Sequence, residues 1–251
     1  MISSSSPPMV EYIHLAKYYS SLKYNVVILA GGMGTRMGEA SQYIPKALTQ
    51  FGGLRAIDHI LAKYDYIANK FIIGVSAHHD LLSAYIRGRY AHLDINVSFE
   101  KQLLNTSRSV SRCLDYVDSS LPTIIQFCDL VLDEPSDLEP DTLFVASQSS
   151  SGVVGTFRHG IKDNKIIKYR KPIIPQGLCN GLCGMFVFAN TPLLKAIAYG
   201  SWDQHSDITD DIVTPYHLKR DMTIAEVKRI YEFGSEDDLA RVRLENRFVN
   251  D

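Results

Sequence analysis

A glycine-rich segment with two cations, "LAGGMGTRMGEASQYIPKAL", lies near the start of the chain. Gly31, Gly32 and Gly34 allow a ligand to approach the backbone closely, so that several N–H groups can point at anionic oxygens. Arg36 carries a planar guanidinium that suits phosphate oxygens, and Lys46 carries a compact ammonium after a rigid proline. These residue types predict a loop that binds a triphosphate, although a solvated glycine-rich turn has the same composition.

The spacing of this segment excludes the two commonest phosphate-binding loops. A Walker loop requires GxxxxGK[ST], and no lysine directly follows any of these glycines. A dinucleotide fingerprint requires GxGxxG, and from Gly32 the third glycine would fall at Met37. The segment is therefore either a different phosphate-binding loop or a plain turn.

The segments that must position this loop alternate between strand and helix patterns. Apolar runs rich in Val, Ile and Phe predict strands at 25–30, 71–76, 95–99, 123–128 and 143–146. Apolar residues at helical spacing predict helices at 56–68, 80–90 and 107–117. This alternation predicts an α/β fold, a single three-layer Rossmann-like domain with a mostly parallel central sheet. Such sheets bind ligands beyond the carboxyl ends of their strands.

The second half of the chain predicts a small substrate-side lobe of the same domain. Segments 152–157 and 166–170 flank the turn-like "KDNK" and predict a hairpin. A strand is expected at 184–190, a helix from about Thr191, a helix at 207–219, a strand at 223–229, and a helix at 235–247 capped by Ser235. With no repeat or long linker, we expect one domain over 25–251, preceded by a tail and short helix over 1–24.

Composition and charge exclude several classes of partner. The formal net charge of −2 gives no reason to expect a nucleic acid or an acidic membrane surface. No apolar run approaches the roughly 18 residues of a membrane span, and the N-terminus lacks the apolar centre of a signal peptide. The four cysteines form no paired framework, and no histidine or cysteine cluster completes a zinc site with Cys179 and Cys183. We therefore expect reduced thiols and a cytoplasmic protein.

The glycine-rich segment resembles the signature of the nucleotidyltransferases that activate sugar 1-phosphates, LxGGxGTRLxxxTxxxPKxL. This chain has LAGGMGTRM at 29–37 and PKAL at 45–48. In that family the loop surrounds the nucleoside triphosphate, and the arginine and lysine contact its phosphates. The resemblance therefore implies a set of nucleotide-binding residues: Leu29, Ala30, Gly31, Gly32, Gly34, Thr35, Arg36 and Lys46.

Further segments resemble the family in the expected order. "LLNTSRSV" resembles PLGTAGAL, which lies beside the nucleobase, and this implies nucleotide contacts from Asn105 and Thr106. The same residues would also be explained by a helix N-terminus that is capped by Asn105 or Thr106. "IIQFCDLVLDE" resembles a strand that ends in Gly-Asp, which makes Asp129 a nucleotide-binding residue and a Mg²⁺ ligand. "IYEFGSEDDLARVR" resembles WxDxGTPEDLxxA, with Glu232 at the position of a second metal-binding aspartate.

Segments in the second half of the chain resemble the parts of the family that bind the phosphorylated acceptor. "KIIKYRKP" resembles a strand that ends in VEKP, which implies that Lys171 holds the acceptor phosphate. Arg170 stands where a glutamate often contacts sugar hydroxyls. "NGLCGMFVF" resembles NAGIYVF with Gly184 in register, and Asp210 and Asp211 lie where the family has an acidic residue before "IxP". The resemblance thus spans about residues 25–243 and implies that Lys171, Gly184 and Asp210 bind the acceptor.

The implied reaction is attack by an oxygen of a sugar 1-phosphate on the α-phosphorus of a nucleoside triphosphate, with release of pyrophosphate. Arg36, Lys46 and Lys171 would be the catalytic residues, and Mg²⁺ bound by Asp129 and Glu232 would be the cofactor. No strong general base is needed, because a phosphate monoester is already anionic near neutral pH.

Three other functions can be weighed against this one. Arg170 and the altered base segment leave room for cytidylyl transfer to a phospho-alcohol or another non-sugar phosphate. A glycosyltransferase generally needs a DxD pair, which the sequence after Asp129 lacks. A nucleotide-sensing regulatory homologue would explain Asn105 and Glu232. The nucleobase and the acceptor stay open, and the N-terminal helix could contact a second copy of the chain or pack within its own.

Overall fold

The computed structural model describes most of the chain beyond the N-terminus. The described residues are 22–32, 34, 36–37, 43–76, 79–101, 105–133, 138–147, 159–168, 180–201, 207–227, 229–232 and 234–247. Several predictions lie outside these ranges: the N-terminal tail and helix up to residue 21, the strand at 152–157, and the roles of Thr35 and Lys171. Within the described ranges, no helix combines the length and apolar character needed to cross a membrane.

Strands and short helices alternate along the described chain. The strands are β1 (Tyr24–Leu29), β2 (Gln50–Phe51), β3 (Leu54–Arg55), β4 (Ala68–Val75), β5 (Ile95–Phe99), β6 (Thr123–Phe127), β7 (Leu130–Asp133), β8 (Thr142–Ser147), β9 (His159–Lys162), β10 (Lys165–Lys168), β11 (Asn180–Phe188), β12 (Thr223–Glu226) and β13 (Arg229–Glu232). The α-helices are α1 (Ala56–Tyr64), α2 (His79–Arg89), α3 (Thr106–Cys113), α4 (Thr191–Gly200), α5 (Thr214–Arg220) and α6 (Glu236–Arg247).

The centre of the main sheet is parallel, in the order β6-β1-β4-β5. Val26 and Ile28 of β1 pack into one apolar core with α1, α2 and α6, whereas Val27 and Leu29 pack into a second core with α3, α4 and α5. Successive side chains of a strand point to opposite faces, so a strand covered by helices on both faces must be continuously apolar. The predicted α/β class with its mostly parallel, three-layer sheet is confirmed.

β11 extends the sheet in the antiparallel direction and pairs with β6, β8 and β9. β9 and β10 form a hairpin, and Asp163 and Asn164 in its turn have φ values of 50° and 56°. Two consecutive left-handed residues are typical of a type I′ turn, which matches the twist of the flanking strands. The predicted turn at "KDNK" is confirmed, but the strand that enters it is His159–Lys162.

Three of the predicted boundaries are wrong for identifiable physical reasons. The helix expected at 56–68 ends at Tyr64, because Ile67 turns back to Tyr64 and bonds to the start of β1. The helix expected at 207–219 begins with a wide π turn, Thr209–Val213, before α5. Pro215 has no N–H to donate, and the preceding Thr214 N–H donates to Thr209 O instead.

The third wrong boundary matters for the site. The single strand expected at 223–229 is two strands in different sheets. β12 pairs with β8, and Val227 closes that pairing by donating its N–H to Val145 O at 2.9 Å. β13 then pairs antiparallel with β7 in a separate ladder, with Glu232 opposite Leu130. This small ladder brings residues 229–232 beside the turn that follows β6.

Candidate functional site

The glycine-rich loop begins at the carboxyl end of β1. Ala30 N–H donates to Gly74 O at 2.8 Å, and Ser76 Oγ donates to Gly31 O at 2.8 Å, so the loop lies against the end of β4. Gly34 has a φ of 69°, and its carbonyl accepts the N–H of the buried Met37 at 2.7 Å. A left-handed residue at this turn favours glycine, since a side chain there would be strained.

Lys46 begins a short 3₁₀ turn, Lys46–Leu48, which the buried Ala47 and Leu48 anchor to the core. Its Nζ donates to Gly234 O at 3.0 Å and lies 3.6 Å from Asp129 Oδ2. Only 10% of the Lys46 side chain is exposed, so its ammonium is held in place rather than free in solvent.

Asp129 lies in the turn between β6 and β7. The preceding Cys128 N–H donates to Leu29 O at 3.1 Å, which ties this turn to the end of β1. Burial raises the pKa of the Cys128 thiol, which therefore stays neutral and adds no charge beside the carboxylate. The Asp129 side chain is 31% exposed and can reach a ligand in solvent.

Gly234 lies where four charged side chains meet. A Cβ at this position would lie 3.3 Å from Arg36 Nη2, 3.5 Å from Glu232 Oε1 and 3.6 Å from Asp129 Oδ2. The carbonyl of Gly234 accepts the Lys46 hydrogen bond, and Arg36 O accepts the N–H of Glu236 at 3.2 Å. The structure therefore brings together one predicted set, called here the charged cluster: Arg36, Lys46, Asp129 and Glu232.

The charged cluster fits a Mg²⁺ ion. Mg²⁺ binds carboxylate oxygens and usually shares its coordination with phosphate oxygens and water. Oxygens of Asp129 and Glu232 both lie within 3.6 Å of one point above Gly234. Asp129 and Glu232 would hold the ion, while Arg36 and Lys46 remain available to phosphate oxygens. Two cations and two carboxylates balance, so a divalent ion would make the cluster positive toward a triphosphate.

The segment expected beside the nucleobase has structural bonds of its own. Asn105 is the N-cap of α3, and its Oδ1 accepts the Arg108 N–H at 2.8 Å. Thr106 Oγ1 accepts the Ile208 N–H at 3.0 Å. Capping thus explains Asn105 without a nucleotide, and the nucleotide contacts of both residues stay predictions.

Asp210 lies in a second cluster, formed with the β9–β10 hairpin. His159 Nε2 donates to its Oδ1 at 2.9 Å, and Lys168 Nζ contacts its Oδ2. Burial raises the pKa of Asp210, but the hydrogen bonds from Lys168 and His159 outweigh this effect and lower the pKa. Asp207 lies 3.9 Å from Lys168 Nζ. His159, Asp207 and Asp210 offer atoms within 4.8 Å of one another, a spacing that suits a metal, but the Lys168 ammonium already lies against both carboxylates.

Gly184 is explained by packing. A Cβ on this residue of β11 would lie 2.1 Å from Phe127 Cδ2, so only glycine allows β11 to pass this ring. Its contact with an acceptor stays a prediction. Four residues near these clusters were not predicted as site residues from the sequence: Gly234, His159, Lys168 and Asp207. For Gly234 a signal was present, because it lies in register with the glycine of the family's last motif.

A family model described as the MobA-like NTP transferase domain matches residues 26–163. The matched stretch covers more than half of the chain and contains the glycine-rich loop, Lys46 and Asp129. It ends within the β9–β10 hairpin.

A curated protein of similar sequence agrees with this match. Bifunctional protein GlmU from Burkholderia mallei is 29% identical over 115 residues, which cover 46% of this chain and 24% of that protein. The matched part of the chain thus spans about a quarter of that relative's length.

Two solved structures share the fold. An inositol-1-phosphate CTP transferase from T. maritima superposes with a TM-score of 0.70 at 17% identity, covering 93% of this chain and 98% of that one. CTP:phosphocholine cytidylyltransferase from Streptococcus pneumoniae superposes with a TM-score of 0.70 at 18% identity, covering 89% of this chain and 99% of that one. The resemblance of the glycine-rich segment is confirmed, and the chain belongs to the NTP-transferase family as a protein with a MobA-like NTP transferase domain.

Proposed function

We propose that this protein is a nucleotidyltransferase that couples a nucleoside triphosphate to a sugar 1-phosphate, with release of pyrophosphate and formation of an NDP-sugar. The observation that carries the proposal is the meeting of Arg36, Lys46, Asp129 and Glu232 around Gly234. These residues come from four separate segments of the chain, and the family's motifs occur at each of them.

On the donor side, Arg36 and Lys46 neutralise the triphosphate. The Lys46 ammonium is held by Gly234 O and by Asp129, so it needs little reorganisation when charge develops on the leaving pyrophosphate. The Arg36 guanidinium is exposed and presents its planar fork to phosphate oxygens. When bound, Mg²⁺ supplies Lewis-acid polarisation of the phosphoryl oxygens. Asp129 and Glu232 would hold the ion and so fix its position relative to the phosphates.

On the acceptor side, a phosphate oxygen attacks the α-phosphorus while the bond from that phosphorus to the pyrophosphate oxygen breaks. No proton has to be removed from the attacking oxygen, so catalysis consists of positioning and charge neutralisation. We assign the acceptor phosphate to Lys171. Asp210, held by His159 and Lys168, and Gly184 form the remaining acceptor contacts.

A second candidate is cytidylyl transfer to a phospho-alcohol. Arg170 replaces a glutamate that often contacts sugar hydroxyls, which disfavours a sugar at this position. The two solved structures reported above are named for CTP and for inositol 1-phosphate or phosphocholine as substrates. Both candidates use the same donor chemistry and differ only in the acceptor and the base.

Pyrophosphate release separates the candidates in one experiment. The purified chain is incubated with CTP, UTP, GTP or dTTP, each paired with hexose and heptose 1-phosphates, phosphocholine and inositol 1-phosphate, with Mg²⁺ and with EDTA. Lys46→Ala is expected to lower turnover about 10²- to 10³-fold, the scale for removing one donor to a developing charge. Lys70→Ala is the matched control, since Lys70 pairs with Asp94 on the surface at 3.6 Å and should change nothing.

Turnover with a sugar 1-phosphate supports the first candidate, and turnover only with a phospho-alcohol selects the second. Binding of a triphosphate without pyrophosphate release from any pair would contradict both and indicate a regulatory homologue. Equal activity of Lys46→Ala and Lys70→Ala would contradict the role of the charged cluster.

A further inference from the structure

A buried polar chain runs beneath the turn that carries Asp129. Tyr64 OH donates to Gln126 Oε1 at 2.5 Å, and Gln126 Nε2 donates to Leu130 O at 3.0 Å. Both side chains are 0% exposed. The carbonyl of Leu130 can only accept, so the amide nitrogen must face it and the amide oxygen must face the tyrosine. An amide is costly to bury, and the neighbours of Gln126 in β6, Ile124, Ile125 and Phe127, are apolar.

The Leu130 carbonyl that Gln126 holds lies close to both candidate metal ligands, one along the chain and the other across the β7–β13 ladder. Leu130 directly follows Asp129 in the chain. Leu130 also lies opposite Glu232 in the β7–β13 ladder. A shift of the Leu130 backbone would therefore move both carboxylates relative to Gly234.

Helix α1 connects this polar chain to Lys46. At its C-terminal end, α1 contributes Tyr64, and Lys63 Nζ donates to Leu132 O at 3.0 Å. At its N-terminal end, Ala56 N–H donates to Thr49 O at 2.9 Å, next to the turn that begins at Lys46. The same helix thus holds the backbone on both sides of the Lys46–Asp129 pair.

We propose that Gln126, oriented by Tyr64, is a positioning residue that holds Asp129 and Glu232 at the spacing that a divalent cation requires. The inference rests on the metal site of the proposed function. Neither side chain touches a ligand, because both lie in the core. A residue of this kind acts through the groups it orients, and losing it typically weakens metal affinity 10- to 100-fold.

The test measures metal binding without turnover. Mn²⁺, which accepts the same oxygen ligands, is titrated into the nucleotide-free protein, and free Mn²⁺ is followed by its EPR signal. Gln126→Leu keeps the volume in the core but removes both hydrogen bonds, and it is expected to raise the Kd for Mn²⁺ about tenfold. Tyr64→Phe removes the hydrogen bond to the amide oxygen but leaves the bond from Gln126 to Leu130 O, so a smaller rise of about threefold is expected.

Tyr24→Phe is the matched control. Tyr24 is also a buried tyrosine, and its OH donates to Leu138 O at 2.6 Å. This variant loses the same kind of hydrogen bond as Tyr64→Phe and should lose similar thermal stability, yet its Kd for Mn²⁺ should equal that of the wild type. If Gln126→Leu does not fold, the comparison of Tyr64→Phe with Tyr24→Phe tests the inference alone.

Three results would overturn the inference. In the first, the wild type binds Mn²⁺ and releases pyrophosphate, and Tyr64→Phe and any folded Gln126→Leu bind Mn²⁺ equally well. The positioning role then fails while the proposed function stands. In the second, the wild type does not bind Mn²⁺, so that the metal assignment itself fails, and pyrophosphate release shows separately whether the proposed function stands. A rise in Kd for Tyr24→Phe equal to that of Tyr64→Phe would attribute the effect to general loosening and also contradict the inference.

Discussion

Replacing Gly234 with alanine would test whether the space between the four charged side chains is used by a ligand. The new methyl group would lie 3.3 Å from Arg36 Nη2, 3.5 Å from Glu232 Oε1 and 3.6 Å from Asp129 Oδ2. The last two distances are ordinary van der Waals contacts, but the first is tight. The long Arg36 side chain can move by a few tenths of an ångström, so the fold should tolerate the change.

The expected magnitude follows from these distances. A misplacement of 1 Å in an active site can lower the rate about 10²-fold, so a shift of a few tenths of an ångström should lower kcat/KM about tenfold. Tenfold corresponds to about 1.4 kcal/mol of transition-state stabilisation. The free energy of unfolding should change by less than about 1 kcal/mol, because alanine also restricts the unfolded chain.

Pyrophosphate release and urea unfolding measure the two quantities separately. Gly88→Ala is the control, since Gly88 lies in α2 with no atom within 4 Å of a Cβ. Gly88→Ala should raise the free energy of unfolding by about 0.5–1 kcal/mol and leave kcat/KM unchanged. A Gly234→Ala variant with wild-type kcat/KM would refute the assignment of this space to the ligand, and so would a loss of activity fully explained by unfolding.

Three further predictions concern single side chains. Asp129→Asn should keep the fold and lower pyrophosphate release by two or more orders of magnitude, about the scale of lost electrostatic stabilisation; near-normal turnover would end its role as a metal ligand. Because the bonds from Lys168 and His159 lower the pKa of Asp210, its stabilisation is complete above the ordinary carboxyl pKa and is lost as the pH falls through the lowered value. Urea unfolding from pH 7 to pH 3 should therefore show wild type and Asp210→Asn converging in acid, and a constant gap would count against this. Asn105→Ala should lower the free energy of unfolding by about 1 kcal/mol through loss of the α3 cap; Asn105→Ser should restore stability, and a KM for the triphosphate that stays high in Asn105→Ser would show a nucleotide contact beyond capping.

Much of the fold was predictable because local patterns specified it. The apolar run of β1 predicts a strand buried on both faces, and Val26 and Val27 are each completely buried in opposite cores. Ser235 was a recognisable cap, and its Oγ accepts the Asp238 N–H at 3.2 Å. The "KDNK" turn was readable because Asp and Asn tolerate left-handed φ. The end of the helix predicted at 56–68 was not, since pairing of Ile67 with β1 overrides helical propensity.

The candidate site was predictable only in part, because some of its residues belong to short motifs and others depend on contacts between distant segments. Arg36 and Lys46 belong to a short segment whose residue types and spacing predict phosphate binding, and the resemblance of a second short segment to the family implies a role for Asp129. The residues around Gln126 in the sequence do not predict a positioning role for it. That role depends on a hydrogen bond to its amide from Tyr64, which lies on α1 far away in the chain.

The sequence by itself determined the class of fold, the family, and the residue types available to bind phosphate. The family resemblance paired Glu232 with Asp129 as metal ligands, but only the tertiary structure decided that the two lie close together, because β13 pairs with β7 outside the main sheet. Strand partners far apart in the chain are chosen by packing and register, which no short window of sequence contains. The same is true of Gly234, whose missing side chain has meaning only where Arg36, Asp129 and Glu232 converge on it.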